Sequence, residues 1–242
     1  MTYEQKSSVE NSRRNFLKSS VALTATTLGV ATNIEANMPN QSIDNQLIDI
    51  KSSNVITLLI TSDIHAQLQT HDEFFWENNQ AVYRKRGGLA VLKTMINSLK
   101  KQNPDNTIVY DGGDYFHGSA VATFTEGEAL IPIFNELGYD LMLPGNWEVV
   151  YKKKKMLYDM GHANATKICA NMWHKTDDAD NGELVYQPYW IKYLAGVKVG
   201  FIGYTDHLVP KRQSPAYSVG LRFEHPEKNV AKYVKYLKEV EG

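Results

Sequence analysis

Two side chains that can bind a metal, Asp63 and His65, lie in the stretch 61–67, which directly follows the apolar run 55–60. Such a run predicts a buried strand, and in open α/β sheets ligands collect beyond the carboxyl ends of the strands. The spacing alone is a weak signal, because Asp and His fall two residues apart by chance in many chains. A strand-end turn capped by Asp63 is the commoner explanation of such a pair. The interpretation as a ligand pair therefore depends on the rest of the sequence.

Two later segments repeat this arrangement of a short apolar run followed by a tight polar loop. Residues 107–110 precede residues 111–114 (DGGD), and residues 140–143 precede residues 144–148 (PGNWE). Glycine permits the close approach of backbone that such loops need. If the three strands are parallel, the loops meet at one edge of the sheet and bring together carboxylate, imidazole and amide ligands. That mixture suits Mn, Fe or Zn, so the sequence predicts a metal site.

Helical patterns separate these strands. Residues 89–99 carry apolar side chains at helical spacing, and residues 126–137 form a second such pattern that ends at Gly138. Strand and helix therefore alternate, which predicts βαβ units with right-handed crossovers and an α/β fold. We interpret residues 68–86 as a loop and residues 189–204 as two strands joined by a tight turn.

Composition excludes several classes of protein. The chain has 242 residues, of which 43% are hydrophobic and 22% are charged, so it can bury one sizeable core. A formal net charge of -1 argues against a nucleic-acid-binding surface, since there is no basic excess to neutralise phosphates. Cys169 is the single cysteine, which rules out an intrachain disulfide. Its apolar neighbours predict a buried structural thiol.

The first part of the chain is predicted to be an export signal. Residues 13–18 (RRNFLK) resemble a twin-arginine signal, and the modestly apolar stretch 21–31 is too short and polar for a permanent membrane span. A basic amphipathic helix is the alternative. We assign residues 1–36 to the signal, residues 37–54 to a polar linker, and the start of the folded domain to Val55. The twin-arginine export machinery is then a partner, and the domain is periplasmic or extracellular.

The three loops together resemble the motifs of the calcineurin-like metallophosphoesterase superfamily. They read Asp-x-His, Gly-Asp and Gly-Asn-x-Glu, in that order, within residues 55–242. The branch that they resemble most is that of exported 5′-nucleotidases and UDP-sugar hydrolases, and SoxB-like thiosulfohydrolases are a close cousin. The resemblance implies half of a four-layer α/β/β/α metallophosphoesterase sandwich, and the hydrolysis of a phosphate ester, most simply a nucleotide, by metal-activated water.

The resemblance also implies a site for two divalent metal ions, with Mn, Zn or Fe as the candidates. By analogy Asp63 and His65 bind the first ion, Asp114 bridges both, and Asn146 binds the second. Two such ions close together can clamp the attacking and leaving oxygens of a displacement at phosphorus. The assignment of these four residues to the metals is carried over from the family motifs.

Trp147 departs from the pattern of the superfamily, where the same position is usually a histidine that assists the leaving group. An indole donates one hydrogen bond but cannot transfer a proton at neutral pH. One hypothesis is that His117, three residues beyond Asp114, acts as the catalytic acid instead. The alternative is a loop histidine with a backbone partner. SoxB-like proteins also carry Trp followed by Glu here, so a thiosulfohydrolase acting on a protein-bound sulfonate is a second functional hypothesis.

The later Ser/Asn-His and Gly-His-x-His motifs of the superfamily do not occur in this sequence. The expectation is therefore an amino-terminal part of such an enzyme, truncated at its carboxyl-terminal side, with apolar sheet surface left exposed. A truncated, inactive remnant is the third functional hypothesis.

Overall fold

The computed structural model describes residues 55–175 and 182–241. The predicted export signal and linker, residues 1–54, lie outside the described residues. The strands in the described ranges are β1 (Thr57–Thr61), β2 (His71–Glu77), β3 (Gln80–Arg86), β4 (Thr107–Asp111), β5 (Leu141–Met142), β6 (Thr166–Lys167), β7 (Met172–His174), β8 (Tyr189–Leu194), β9 (Val197–Ile202) and β10 (Leu221–Phe223). The α-helices there are α1 (Leu89–Lys100), α2 (Ala120–Phe124), α3 (Ile131–Leu137), α4 (Lys152–His162), α5 (Val209–Arg212) and α6 (Val230–Glu239).

A parallel sheet carries the three predicted loops. Its strand order is β1-β4-β5-β6, and each neighbouring pair is parallel. Helix α1 lies in the chain between β1 and β4, α2 and α3 lie between β4 and β5, and α4 lies between β5 and β6. All four strands therefore end at the same edge of the sheet. This arrangement confirms the predicted α/β fold class with strand–helix–strand units.

The main core lies between this sheet and the crossover helices. Helix α1 buries Leu89 and Ile96 on its apolar face, as its spacing predicts. Helix α3 ends at Gly138, which adopts a left-handed conformation with φ 76°, again as predicted. It begins later than predicted, because Gly127 is left-handed at φ 90° and Pro132 occupies the first turn, which favours helix initiation there.

The prediction of a loop over residues 68–86 is wrong, because β2 and β3 form an antiparallel hairpin there. Its register runs from His71 opposite Arg86 to Glu77 opposite Gln80. The two turn residues, 78 and 79, are both Asn with φ values of 49° and 60°, which is the conformation of a tight hairpin turn. Asn tolerates positive φ without glycine, so the usual glycine signal of such a turn is missing.

A second hairpin, β8–β9, packs on the opposite face of the parallel sheet. Its turn is formed by Ala195 and Gly196 with φ values of 50° and 75°, which confirms the predicted pair of strands with a tight turn. Phe201 of β9 contacts Tyr110 of β4, with ring centroids 6.3 Å apart. On the same face, Leu58 of β1 remains 44% exposed, so the hairpin covers the face only in part.

None of the helices in the described part of the chain is long and apolar enough to cross a bilayer. Cys169 is buried, and burial raises the pKa of its thiol to about 11, which agrees with a structural rather than a reactive cysteine.

Candidate metal centre

The loops after β1 and β4 continue the pairing of their strands through backbone hydrogen bonds. The amide of Asp63 donates to the carbonyl of Gly113 at 3.0 Å, and the amide of His65 donates to the carbonyl of Asp114 at 2.9 Å. The parallel register of β1 and β4 thus extends beyond the sheet edge. It places the Asp-x-His segment beside the Gly-Asp segment, as the sequence predicts.

The backbone at these ligand positions is left-handed. Asp63, His65 and Asp114 have φ values of 55°, 48° and 61°. A non-glycine residue in this region costs on the order of 1 kcal/mol, and such residues cluster at functional sites where the surrounding structure imposes the conformation. Here the inter-loop hydrogen bonds impose it.

Three of the four predicted ligands come together. One ligand atom from each of Asp63, His65 and Asp114 lies within 4.8 Å of the others. His65 Nε2 is 3.8 Å from Asp63 Oδ1 and 3.8 Å from Asp114 Oδ2. An ion bound at about 2.1 Å from each donor can span separations up to about 4.2 Å, and both pairs that include His65 lie within this limit. No other group of three such side chains occurs in the residues that the structure describes.

Asn146, the fourth predicted ligand, lies in a loop that is pressed against Asp114. A Cβ on Gly145 would lie 2.2 Å from Asp114 Oδ1, and a Cβ on Gly113 would lie 2.2 Å from the nitrogen of Gly145. The amide of Trp147 donates to Asp114 Oδ1 at 2.7 Å. Both glycines are therefore required by the close approach of the two loops, and Asn146 sits between two residues that contact Asp114.

The sequence interpretation missed the role of Glu148. Its side chain is only 5% exposed, and its carboxylate accepts backbone hydrogen bonds from Asp114, Tyr115 and Gly145. Burial raises the pKa of this carboxyl group, and the nearby Asp114 carboxylate raises it further. The signal available in the sequence was an acid placed between a predicted site loop and the apolar pair 149–150.

A further buried carboxylate, Asp111, lies under the site. Its Oδ1 accepts from the amide of Gly113 at 2.9 Å, and its Oδ2 accepts from Thr61 Oγ1 at 2.6 Å. Thr61 Oγ1 is also 2.7 Å from the hydroxyl of Tyr139. Burial raises the pKa of Asp111 from 3.8 to about 7. The network ties the end of β1 to the loop that carries Asp114.

The raised pKa of Asp111 predicts how stability depends on pH in the metal-free chain. The unfolded carboxyl ionises near pH 3.8 and the folded one near pH 7, so the folded state binds more protons between these values. The free energy of unfolding therefore falls as pH rises through this interval, by about 1.4 kcal/mol per unit and on the order of 2–4 kcal/mol in total. Asp111→Asn, which fits the same hydrogen bonds, removes this contribution.

Urea unfolding of the chelator-treated chain at a series of pH values measures the effect. At each pH, the free energy of unfolding of the wild type minus that of Asp111→Asn isolates the contribution of Asp111 from that of the other buried acids. If the free energy of unfolding changes with pH equally in the two chains between pH 4 and pH 7, the assignment is contradicted.

His117 lies beside the candidate metal ligand His65 and stacks on Trp147. The two rings are parallel within 4° with centroids 4.6 Å apart, and the His65 ring meets His117 edge-on at 6.2 Å. Nδ1 of His117 is buried without a hydrogen-bond partner among the described residues. Burial lowers the pKa of His117, and the neighbouring His65 lowers it further. The backbone partner expected for an ordinary loop histidine is not found at this nitrogen.

The parallel sheet carries the candidate metal ligands Asp63, His65 and Asp114 at its carboxyl edge. Residues 56–216 match the model of the calcineurin-like phosphoesterase family. The chain belongs to this family.

Among its relatives are 5′-nucleotidases from distant organisms. The 5′-nucleotidase of Vibrio cholerae is 28% identical over 195 residues, which are 77% of this chain and 32% of that protein. The snake venom 5′-nucleotidase of Gloydius brevicauda is 32% identical over 174 residues, which are 71% of this chain and 29% of that protein. The chain thus spans about a third of the length of these curated relatives.

A solved structure with the same fold is that of the sulfate thiohydrolase SoxB of Thermus thermophilus. The TM-score is 0.68 at 18% sequence identity, over 81% of this chain and 43% of that one. At this identity the similarity establishes the fold alone.

Proposed function

We propose that this chain forms the metal-binding part of an exported, dimetal-dependent phosphoester hydrolase that acts on a nucleotide. The observation that carries the proposal is the convergence of Asp63, His65 and Asp114, with ligand atoms within 4.8 Å of one another. It occurs in a chain of the calcineurin-like phosphoesterase family whose relatives include 5′-nucleotidases.

In this proposal four residues would hold two divalent ions, which could be Mn, Zn or Fe. Asp63 and His65 would hold the first ion, Asp114 would be shared, and Asn146 would contribute to the second. Bound divalent ions supply Lewis-acid polarisation of the phosphoryl group and ease the deprotonation of water near neutral pH. Asp114 is suited to the shared position because Trp147 fixes one of its oxygens while the other faces His65.

His117 is the proposed proton donor to the leaving oxygen. It stacks on Trp147, the residue that stands where the superfamily usually has a histidine, and it contacts the ring of His65. Its buried Nδ1 has no partner among the described residues. Stacking on Trp147 would keep the orientation of this ring fixed beside the proposed metal ligands.

The full 242-residue chain tests the proposal directly. We expect two Mn²⁺ per chain by elemental analysis, an exchange-coupled Mn²⁺ pair by electron paramagnetic resonance, and release of phosphate from AMP. A chain that neither binds Mn²⁺ nor releases phosphate would overturn the proposal.

A thiosulfohydrolase of the SoxB kind is the second candidate, favoured by Trp147 followed by Glu148 in the third loop. The same assay with a peptide that carries an S-thiosulfonated cysteine separates the two. Sulfate release from the peptide with no phosphate release from AMP would favour the thiosulfohydrolase. A chain that cleaves neither compound and retains no stoichiometric metal would favour the inactive remnant.

Export through the twin-arginine machinery, to the periplasm or the cell exterior, is part of the same proposal. It is supported by residues 13–18 (RRNFLK) at the start of the chain. We expect that replacing Arg13 and Arg14 with Lys stops export, as measured by fractionation of cells that produce the chain. As a control, residues 21–31 are replaced by the more apolar segment of a Sec-type signal. This replacement should redirect export from the twin-arginine route to the Sec route. Unchanged export of the Lys-Lys chain would contradict the assignment.

A further inference from the structure

The carboxylate of Glu148 joins two loops that carry proposed metal ligands. Its Oε2 accepts from the amide of Asp114 at 2.9 Å and from the amide of Gly145 at 2.6 Å. Its Oε1 accepts from the amide of Tyr115 at 2.8 Å. One side chain from the loop after β5 thus satisfies three backbone N–H groups, two of them in the loop after β4.

The connection runs in both directions. Glu148 accepts from the backbone of Asp114, while Asp114 Oδ1 accepts from the backbone of Trp147 at 2.7 Å. This second bond leaves Asp114 Oδ2 facing His65 Nε2 at 3.8 Å. The reciprocal bonds therefore set both the separation of the two loops and the rotation of the Asp114 carboxylate.

Few other contacts could replace this connection. The backbones of the two loops approach each other closely at Gly113 and Gly145. This close approach leaves no room for side chains to pack between the loops. Within the described residues the Glu148 carboxylate is satisfied by backbone N–H groups rather than by a Lys or Arg. Without it, three backbone donors at this buried contact would lose their acceptor, which is unfavourable because a buried donor without a partner has lost its hydrogen bonds to water.

We propose that Glu148 is a positioning residue of the metal centre, which holds the loops of Asp114 and Asn146 together before any ion binds. The inference rests on the proposed function, since it assigns these loops to metal binding. Glu148 itself contacts neither the metals nor the substrate in this proposal. Its role is to hold Asp114 and Asn146, which lie in loops that follow two separate crossovers, in place before metal binding.

Glu148→Gln tests the proposal with almost no change of size. A glutamine has one acceptor oxygen, so its amide nitrogen must face either the Tyr115 amide or the amides of Asp114 and Gly145. We expect the Kd for Mn²⁺ to rise about 10- to 100-fold, the range found when partners that orient metal ligands are replaced. In the metal-free chain we also expect faster hydrogen exchange at the three amides that Glu148 accepts from.

Asp159→Asn is the matched control. Asp159 is another buried acid, 2% exposed, and its Oδ1 accepts from Lys155 Nζ at 2.6 Å on helix α4. It contacts none of the proposed ligands, so its replacement should leave the Kd for Mn²⁺ unchanged. Glu148→Asp, which keeps the charge but withdraws the carboxylate by one methylene, replaces Glu148→Gln if circular dichroism shows that the latter does not fold.

The two readouts separate this inference from the proposed function. Weaker Mn²⁺ binding and faster exchange in the Glu148 variant, with an unaffected Asp159 variant, support the positioning role. Unchanged exchange at the three amides overturns it, whatever the wild-type chain binds. A wild-type chain without affinity for Mn²⁺ overturns the proposed function, and the exchange rates then decide alone whether Glu148 holds the loops.

Discussion

Asp114→Asn is expected to abolish stoichiometric Mn²⁺ binding and to lower kcat/KM for phosphate release by roughly 10³-fold or more. The side chain of Asp114 is 6% exposed, and its two oxygens have different tasks. Oδ1 accepts from the amide of Trp147, so an asparagine places its oxygen there and turns its NH₂ group toward His65. A donor in place of a shared anionic ligand opposes the binding of both ions.

Asp140→Asn is the control for this experiment. Asp140 precedes β5, and its Oδ2 accepts from the amide of Val109 at 2.9 Å, away from the three loops. We expect this variant to lose some stability and to keep its Mn²⁺ content and its activity per bound metal. Elemental analysis and phosphate release on the same preparations make the comparison. An Asp114→Asn chain that retains two Mn²⁺ ions would contradict the assignment of Asp114 as the shared ligand.

His117→Ala is expected to lower kcat by about 10²- to 10⁴-fold for a substrate with a poor leaving group, the usual range for loss of a general acid. A substrate with a good leaving group, such as p-nitrophenyl phosphate, should be affected far less because its departure needs no proton. Metal content should stay at the wild-type value, since His117 is not among the proposed ligands. The ratio of the two rates therefore reports on proton donation rather than on the metal centre.

Two further variants separate catalysis from packing. His117→Phe keeps a ring against Trp147 but has no proton to donate, so we expect it to be as impaired as His117→Ala. Introducing Trp147→His into the His117→Ala chain places a histidine at the position usual in the superfamily, and partial recovery of kcat is expected. Wild-type activity in His117→Phe would show that the ring serves packing alone.

The three loops that carry the candidate ligands could be predicted from the sequence because each one follows a local sequence pattern. The apolar runs before Asp63, Asp114 and Asn146 predict strands, and glycine marks the tight loops after them. The alternation with helices predicts parallel strands, and parallel strands bring their ends to one edge. The structure brings Asp63, His65 and Asp114 together there.

The β2–β3 hairpin could not be recognised in the same way. It is a ribbon whose aromatic residues lie on both faces: Phe75 lies under Arg84 and Arg86, whereas Phe74 and Tyr83 contact each other on the other face. Since neither face is buried in the main core, apolar and polar residues do not alternate cleanly along the strands. The usual period-two signal of a half-buried strand is then absent.

The sequence by itself determined which residue types end the strands and which loops need glycine, because these depend on neighbours a few positions apart. Only the tertiary structure decided that the Glu148 carboxylate accepts backbone N–H groups of residues 114 and 115, and that the ring of His117 stacks on Trp147. Those contacts join residues about 30 positions apart. They form because the crossovers place each loop against the next, where buried donors need hydrogen-bond acceptors and aromatic rings pack on neighbouring side chains. No local sequence pattern encodes this packing.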